Sequence, residues 1–202
     1  IFLIAGGESA TRLNTPGGVW AMATSLLCDV NGDGKYTDES GEHGITLDNV
    51  RLLGEPSWGQ NGYSQFGERQ RNMSSPSISW DATIGVMAHE LGHAYFNLPD
   101  LYDTRLEPIS AGIGAFGLMG GGPWGKKTLT GKLGSTPVHL SAWSKEKIGV
   151  CNPQTVSPGT DNYTLAAVYQ MIDNSSSCEI YKASTSTSDE YFLFENRSAG
   201  GY

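Results

Sequence analysis

His89 and His93 stand four residues apart in the stretch MAHELGHAYFNLPDLYD, and Glu90 directly follows the first. On a helix this spacing leaves two side chains about 40° apart around the axis, so both imidazoles can bind one ion. Glu90 is one step round from His89 and can reach a water on that ion without being a ligand. Two imidazoles, a water and a carboxylate to take its proton are the parts of a zinc-dependent hydrolase. The chain has four histidines, and two of them fall in this motif, which argues against chance.

A third ligand must come from beyond the helix. Pro99 cannot continue a helix, so the spacing predicts an end near Asn97 and a chain that turns back toward the metal. Asp100 is the first carboxylate on that return and the expected third ligand; Asp103 is the alternative. Of the other histidines, His43 and His139 could each approach from a distance. A group is also needed to stabilise the tetrahedral oxyanion, and Tyr102 and His139 are the candidates.

Several elements have to position this motif. A helix is expected from Asp81 to Phe96, capped by Ser79 or Asp81. Met87, Ala88, Leu91 and Tyr95 fall within about 60° of Ile84 around the axis, whereas His89 and His93 lie at about 140° and 180° from it. The expectation is an apolar stripe on the core and a metal motif on a cleft. Gly92 lowers helix propensity by about 1 kcal/mol relative to Ala, which implies close packing there. Ahead of the helix, residues 1–5, 19–27, 45–53 and 63–68 read as strands, and RNMSSPSIS as a loop. After it, residues 100–132 form a long glycine-rich loop, a length that in a compact domain points to function. Thr136-Pro137 reads as the start of a second helix running to Lys147 and stopping at Gly149, with Lys145 and Lys147 complementing its dipole. NYTLAAVYQ, CEIYKAS and EYFLFEN read as three antiparallel strands.

DVNGDGKYTDES sets Asp29, Asn31 and Asp33 at alternating positions before Gly34, the first half of a calcium loop. Its twelfth position is Ser40 rather than glutamate, and an Asn-Gly/Asp-Gly hairpin accounts for the same residues. Cys28, Cys151 and Cys178 lack metal spacing; a Cys151–Cys178 disulfide is one expectation and three thiols the other. The net charge of −8, with no basic patch, argues against nucleic acid. No apolar run is long enough to span a membrane. The opening IFLIAGG reads as an interior strand and the closing ENRSAGGY ends no element, as expected of a piece of a longer protein.

MAHELGHAYFNLPDLYD, GIGAFGLMGGGPWG and PVHLSAWSKEKIGV together resemble the catalytic domain of the immune inhibitor A family of secreted bacterial metallopeptidases. IAGGESA, GGVWAMAT and DEYFLFENR extend the likeness outward. The resemblance implies an α+β, metzincin-like catalytic domain over residues 1–150, with a mixed sheet and an active-site helix, continued by an antiparallel β segment over 151–202. It implies that Met119 forms a hydrophobic turn under the zinc. It also implies an extracellular endopeptidase acting on proteins or peptides, made with a propeptide and further C-terminal domains. A binding or adhesion module that keeps the fold without turnover is the alternative; intact Glu90 weighs against it. One departure stands out: position 96 is Phe where the family commonly has Gly, and Asp100 is seven residues after His93 rather than six.

Overall fold

The structure is a computed structural model. It describes residues 2–7, 21–24, 46–47, 50–51, 63–72, 75–105, 109–157, 159, 162–171 and 179–198. The fold is α+β, with helices beside mixed sheets. Its two compact units are Ile1–Val138 and His139–Tyr202.

In the first unit, β5 (Tyr63–Asn72) is the central strand. β1 (Phe2–Gly7) pairs with it in parallel, Leu3 opposite Phe66. β2 (Met22–Thr24) and β6 (Ser75–Asp81) pair with it antiparallel, Met22 opposite Gln65 and Gln70 opposite Trp80. A separate hairpin joins β3 (Thr46–Leu47) to β4 (Val50–Arg51). Ser64, Phe66 and Gln70 share one face of β5, by the two-residue period of a strand, and all three are buried. Phe66 packs with Ala21 and with Val86 of the long helix, α1 (Ile84–Phe96), and Met87 and Trp124 close around them.

Two expectations for this region need correction. The stretch read as a loop carries the end of β5 and most of β6, so α1 begins at Ile84, not Asp81. The reason lies in Gln70. Its buried Oε1 accepts from Trp80 Nε1 at 3.2 Å and from the Thr83 backbone N–H at 3.3 Å, which holds residues 80–83 on the sheet. The second correction concerns the faces of α1. Ile84 is 61% exposed and Tyr95 79%, while Gly85, Val86, His89, Glu90 and Gly92 are buried. Gly85 decides this, because a Cβ there would overlap the Pro123 carbonyl oxygen. The helix therefore packs through its glycines, Gly85 on the Pro123 backbone and Gly92 on the Met119 side chain, together with Val86 and Met87, while Ile84 and Tyr95 stay outside.

The helix ends where Pro99 requires. Asn97 takes the left-handed conformation (φ 50°), and the N–H groups of Asn97 and Leu98 bond the carbonyls of His93 and Gly92. Beyond it, the long loop contains two short 3-10 turns, Gly114–Phe116 and Gly122–Trp124.

In the second unit, α2 (Ala142–Lys147) starts later than Thr136-Pro137 predicts. The N–H groups of Thr136 and Val138 bond the carbonyls of Gly125 and Gly122, which ties this stretch to the preceding loop in non-helical form. Ser141 is the cap instead, its side chain accepting from Ser144 N. Lys145 and Lys147 occupy the last turn, and Gly149 leaves it at φ 75°. β8 (Tyr181–Ser184) pairs antiparallel with β9 (Tyr191–Phe194), but NYTLAAVYQ is not the third strand. That place is taken by β7 (Gln154–Thr155), which pairs with β8 in parallel. Glu179 and Asn196 side chains bond the backbone of Ala166 and Leu165, and a single parallel bridge joins Ala167 to Asn196, so this stretch is held by side chains and one bridge rather than by a continuous ladder. Ala142, Cys151 and Ile180 form the buried cluster of the unit. Cys151 is disulfide-bonded, and both other cysteines lie outside the described residues.

Candidate metal centre

α1 presents His89 and His93 with their ring planes at 90° and their Nε2 atoms 3.1 Å apart. Each ring is turned by its other nitrogen. His89 Nδ1 meets the Leu118 carbonyl at 2.8 Å, and His93 Nδ1 meets the Leu98 carbonyl at 2.5 Å. A carbonyl only accepts, so both Nδ1 atoms carry a proton, and each ring turns Nε2 inward, where the neutral imidazole has its lone pair. Backbone carbonyls leave no trace in sequence, which is why these two partners were not foreseen.

Asp100 completes the group. Its Oδ1 lies 3.1 Å from His89 Nε2 and 3.2 Å from His93 Nε2, yet this buried oxygen has no hydrogen-bond partner. With both rings neutral, three acceptor atoms face one another across spacings of 3.1–3.2 Å. Such an arrangement is repulsive unless a cation sits among them. Ligand atoms about 2.0–2.1 Å from a tetrahedral zinc lie roughly 3.3 Å apart, so the donor set fits that ion in both chemistry and spacing. Among the described residues, His89, His93 and Asp100 are the group of metal-ligating side chains able to hold an ion.

Burial alone would raise the Asp100 carboxyl, but the two imidazoles outweigh it and hold it well below the usual carboxylate range. Burial lowers His93, and the Asp100 carboxylate, the Leu98 carbonyl and Glu90 reverse that and raise it.

Asp103 is engaged elsewhere. Its Oδ1 accepts from Arg105 Nε at 2.7 Å, its Oδ2 from the Ile109 N–H at 2.9 Å, and Arg105 Nη2 also pairs with it. Met119 is fully buried, against Gly92. Its carbonyl accepts from Leu101 N at 2.7 Å, which fixes the chain next to Asp100. Tyr102 stacks near His89 at 6.3 Å between ring centroids. Burial and the Asp100 and Glu90 carboxylates raise its phenol to about 12, so it stays a proton donor at neutral pH. Glu90 is buried, its backbone carbonyl held by Ser64 Oγ at 3.2 Å. His139 belongs to the second unit. His43 and the calcium-loop residues Asp29, Asn31 and Asp33 lie outside the described residues.

Beside the cluster opens a cavity of about 580 Å³, lined by Val86, His89, Glu90, Tyr102 and Trp124 among others. Val86 and Trp124 were missed as site residues; the clue in sequence was that Val86 stands one helical turn before His89. Among the described residues no helix is long and apolar enough to cross a membrane. No curated protein and no solved structure matches the chain. Residues 61–151, which hold the three clustered side chains, Glu90 and Met119, match the family model of the immune inhibitor A peptidase M6 catalytic domain.

Proposed function

We propose that the chain is a zinc-dependent endopeptidase of metzincin-like fold that hydrolyses proteins or peptides outside the cell. The observation that carries this reading is the trio of facing acceptors, His89 Nε2, His93 Nε2 and Asp100 Oδ1, in which the Asp100 oxygen is buried and unbonded. These three would hold the zinc, with the Leu98 and Leu118 carbonyls orienting the rings. Bound zinc supplies Lewis acidity to a water and to the scissile carbonyl.

The remaining work falls to side chains. Glu90 lines the cavity beside His89 and takes the proton of the attacking water, then delivers it to the leaving amine. Tyr102, protonated at neutral pH, donates its O–H to the oxyanion. Met119 supports the site from below through Gly92. Asp103 closes its own loop through Arg105 rather than serving as a ligand. Calcium binding by Asp29, Asn31 and Asp33 is a further part of the proposal, and it would suit an extracellular protein.

Elemental analysis tests the reading. About one zinc per chain is expected in the native protein and none in His89→Ala. Glu90→Gln should keep the zinc and lose peptide hydrolysis by roughly a hundredfold or more. A zinc-loaded native chain that cleaves no peptide would instead fit a binding or adhesion module.

A further inference from the structure

Gly120, Gly121 and Gly122 are three consecutive glycines, the first two of them lining the cavity, and they are not glycine for the same reason. A Cβ on Gly120 would come within 2.6 Å of the Gly114 carbonyl oxygen, and one on Gly122 would overlap Val138 and lie 2.5 Å from the Gly117 carbonyl oxygen. Close backbone packing excludes side chains at both. Gly121 is different. Its φ of −80° and ψ of −2° suit any residue, and a Cβ there would meet Gly114 and Ala115 only at 3.4–3.5 Å, an ordinary contact. Neither strain nor crowding requires glycine at 121.

What Gly121 does border, with Gly120, is the cavity. Gly114 and Ala115, the residues its Cβ would touch, also line it, and a Cβ on Gly114 would meet nothing within 4 Å. One wall of this space is thus almost bare of side chains. Val86, Pro123 and Trp124 make the apolar remainder, and His89 and Glu90 stand at the reacting end. A volume of about 580 Å³ is within the range of pockets that enclose organic ligands, roughly 300–1,000 Å³.

We infer that Gly121 sets the substrate specificity of the site: by carrying no side chain it leaves room for a large apolar side chain, such as Leu or Phe, on a substrate residue flanking the scissile bond. This rests on the peptidase reading above. A branched side chain at 121 would project along the bare wall and occupy part of that room, so it should exclude Leu and Phe while still admitting Ala.

Quenched-fluorescence peptides provide the test, in which each residue flanking the cleaved bond is varied in turn among Leu, Phe, Ala and Gly, with cleavage positions read by mass spectrometry. Zinc content and melting temperature are recorded for every variant. The native chain should favour Leu or Phe over Ala at one of the two positions by roughly tenfold or more in kcat/KM. Gly121→Val should reduce or invert that ratio with zinc retained, and Gly121→Ala should move it in the same direction by less. Should Gly121→Val fail to fold, the Gly121→Ala ratio decides. Equal cleavage of all peptides by the native chain overturns the inference, as does a uniform loss across the series in the variants. Cleavage of no peptide by the zinc-loaded native chain overturns the peptidase reading and this one with it.

Discussion

Gly92 and Met119 fill one space between them: a Cβ on Gly92 would lie 2.5 Å from the Met119 Sδ and 3.1 Å from its Cε. Met119 is fully buried and has little room to retreat. Alanine at 92 would gain about 1 kcal/mol of helix propensity. Forcing an extra methyl into a filled core costs about 1–3 kcal/mol. Gly92→Ala is therefore expected to destabilise the first unit by about 1 kcal/mol, measured by urea unfolding. The loss should shrink in a Met119→Ala background, because the two positions share one contact.

Gly112 governs the return of the chain to the histidines. Its φ is 58°, and a Cβ would overlap the Leu101 carbonyl oxygen, the same oxygen that accepts from Ile113 N at 2.9 Å. Leu101 in turn donates to the Met119 carbonyl, so it is held from both sides next to Asp100. Gly112→Ala meets both a left-handed backbone and a clash, and should cost at least about 2 kcal/mol. Because Asp100 would shift with Leu101, the variant should also release zinc to a chelator more readily than the native chain, whereas Gly149→Ala, at a similar φ of 75° with nothing within 4 Å, should not.

How far this site could be read from sequence follows from what each signal measures. The end of α1 was legible, because Pro99 and the αL-tolerant Asn97 act through local backbone sterics. Its beginning was not: Asp81 has the chemistry of a cap, but the Gln70 amide claims the segment for the sheet. The grouping of two histidines with Asp100 was readable from helical spacing and the proline turn. The buried face of the helix was not, because the periodic stripe weighs side-chain apolarity and overlooks close backbone approach. Gly85 and Gly92, seven residues apart on one face with His89 between them, were the neglected signal. In the second unit, the β-branched and aromatic character of NYTLAAVYQ misled, since long-range bonds from Glu179 and Asn196 fix its backbone.

Glu195 holds the second unit together. Its Oε1 accepts from the Ala142 N–H at 3.0 Å, at the first turn of α2, and from Arg197 Nε at 2.7 Å; its Oε2 faces Lys145 Nζ at 3.4 Å. The side chains of Glu195, Arg197 and Lys145 are only 14%, 16% and 15% exposed. Removing the carboxylate leaves two mostly buried cations without their counter-charge and a helix N–H without its acceptor. Glu195→Ala is expected to cost about 3 kcal/mol, seen as a lower urea midpoint of the second unit. Glu195→Gln, which can still accept from Ala142 and Arg197, should cost less.

His139 should make stability fall on acidification. Burial lowers its imidazole below the ordinary value, and the Lys145 and Arg197 cations lower it further, against a smaller opposing pull from Glu195. The unfolded chain then takes up the proton first as pH falls through about 6.5. The folded state accordingly loses stability from that pH downward, until the lowered folded value is reached, and nothing further is lost below it. Denaturant midpoints measured at pH 7.5 and 5.5 should show a drop in the native chain and a smaller one in His139→Gln, which has no charge to acquire. An equal drop in both would assign the pH dependence to other groups and leave His139 without a part in it.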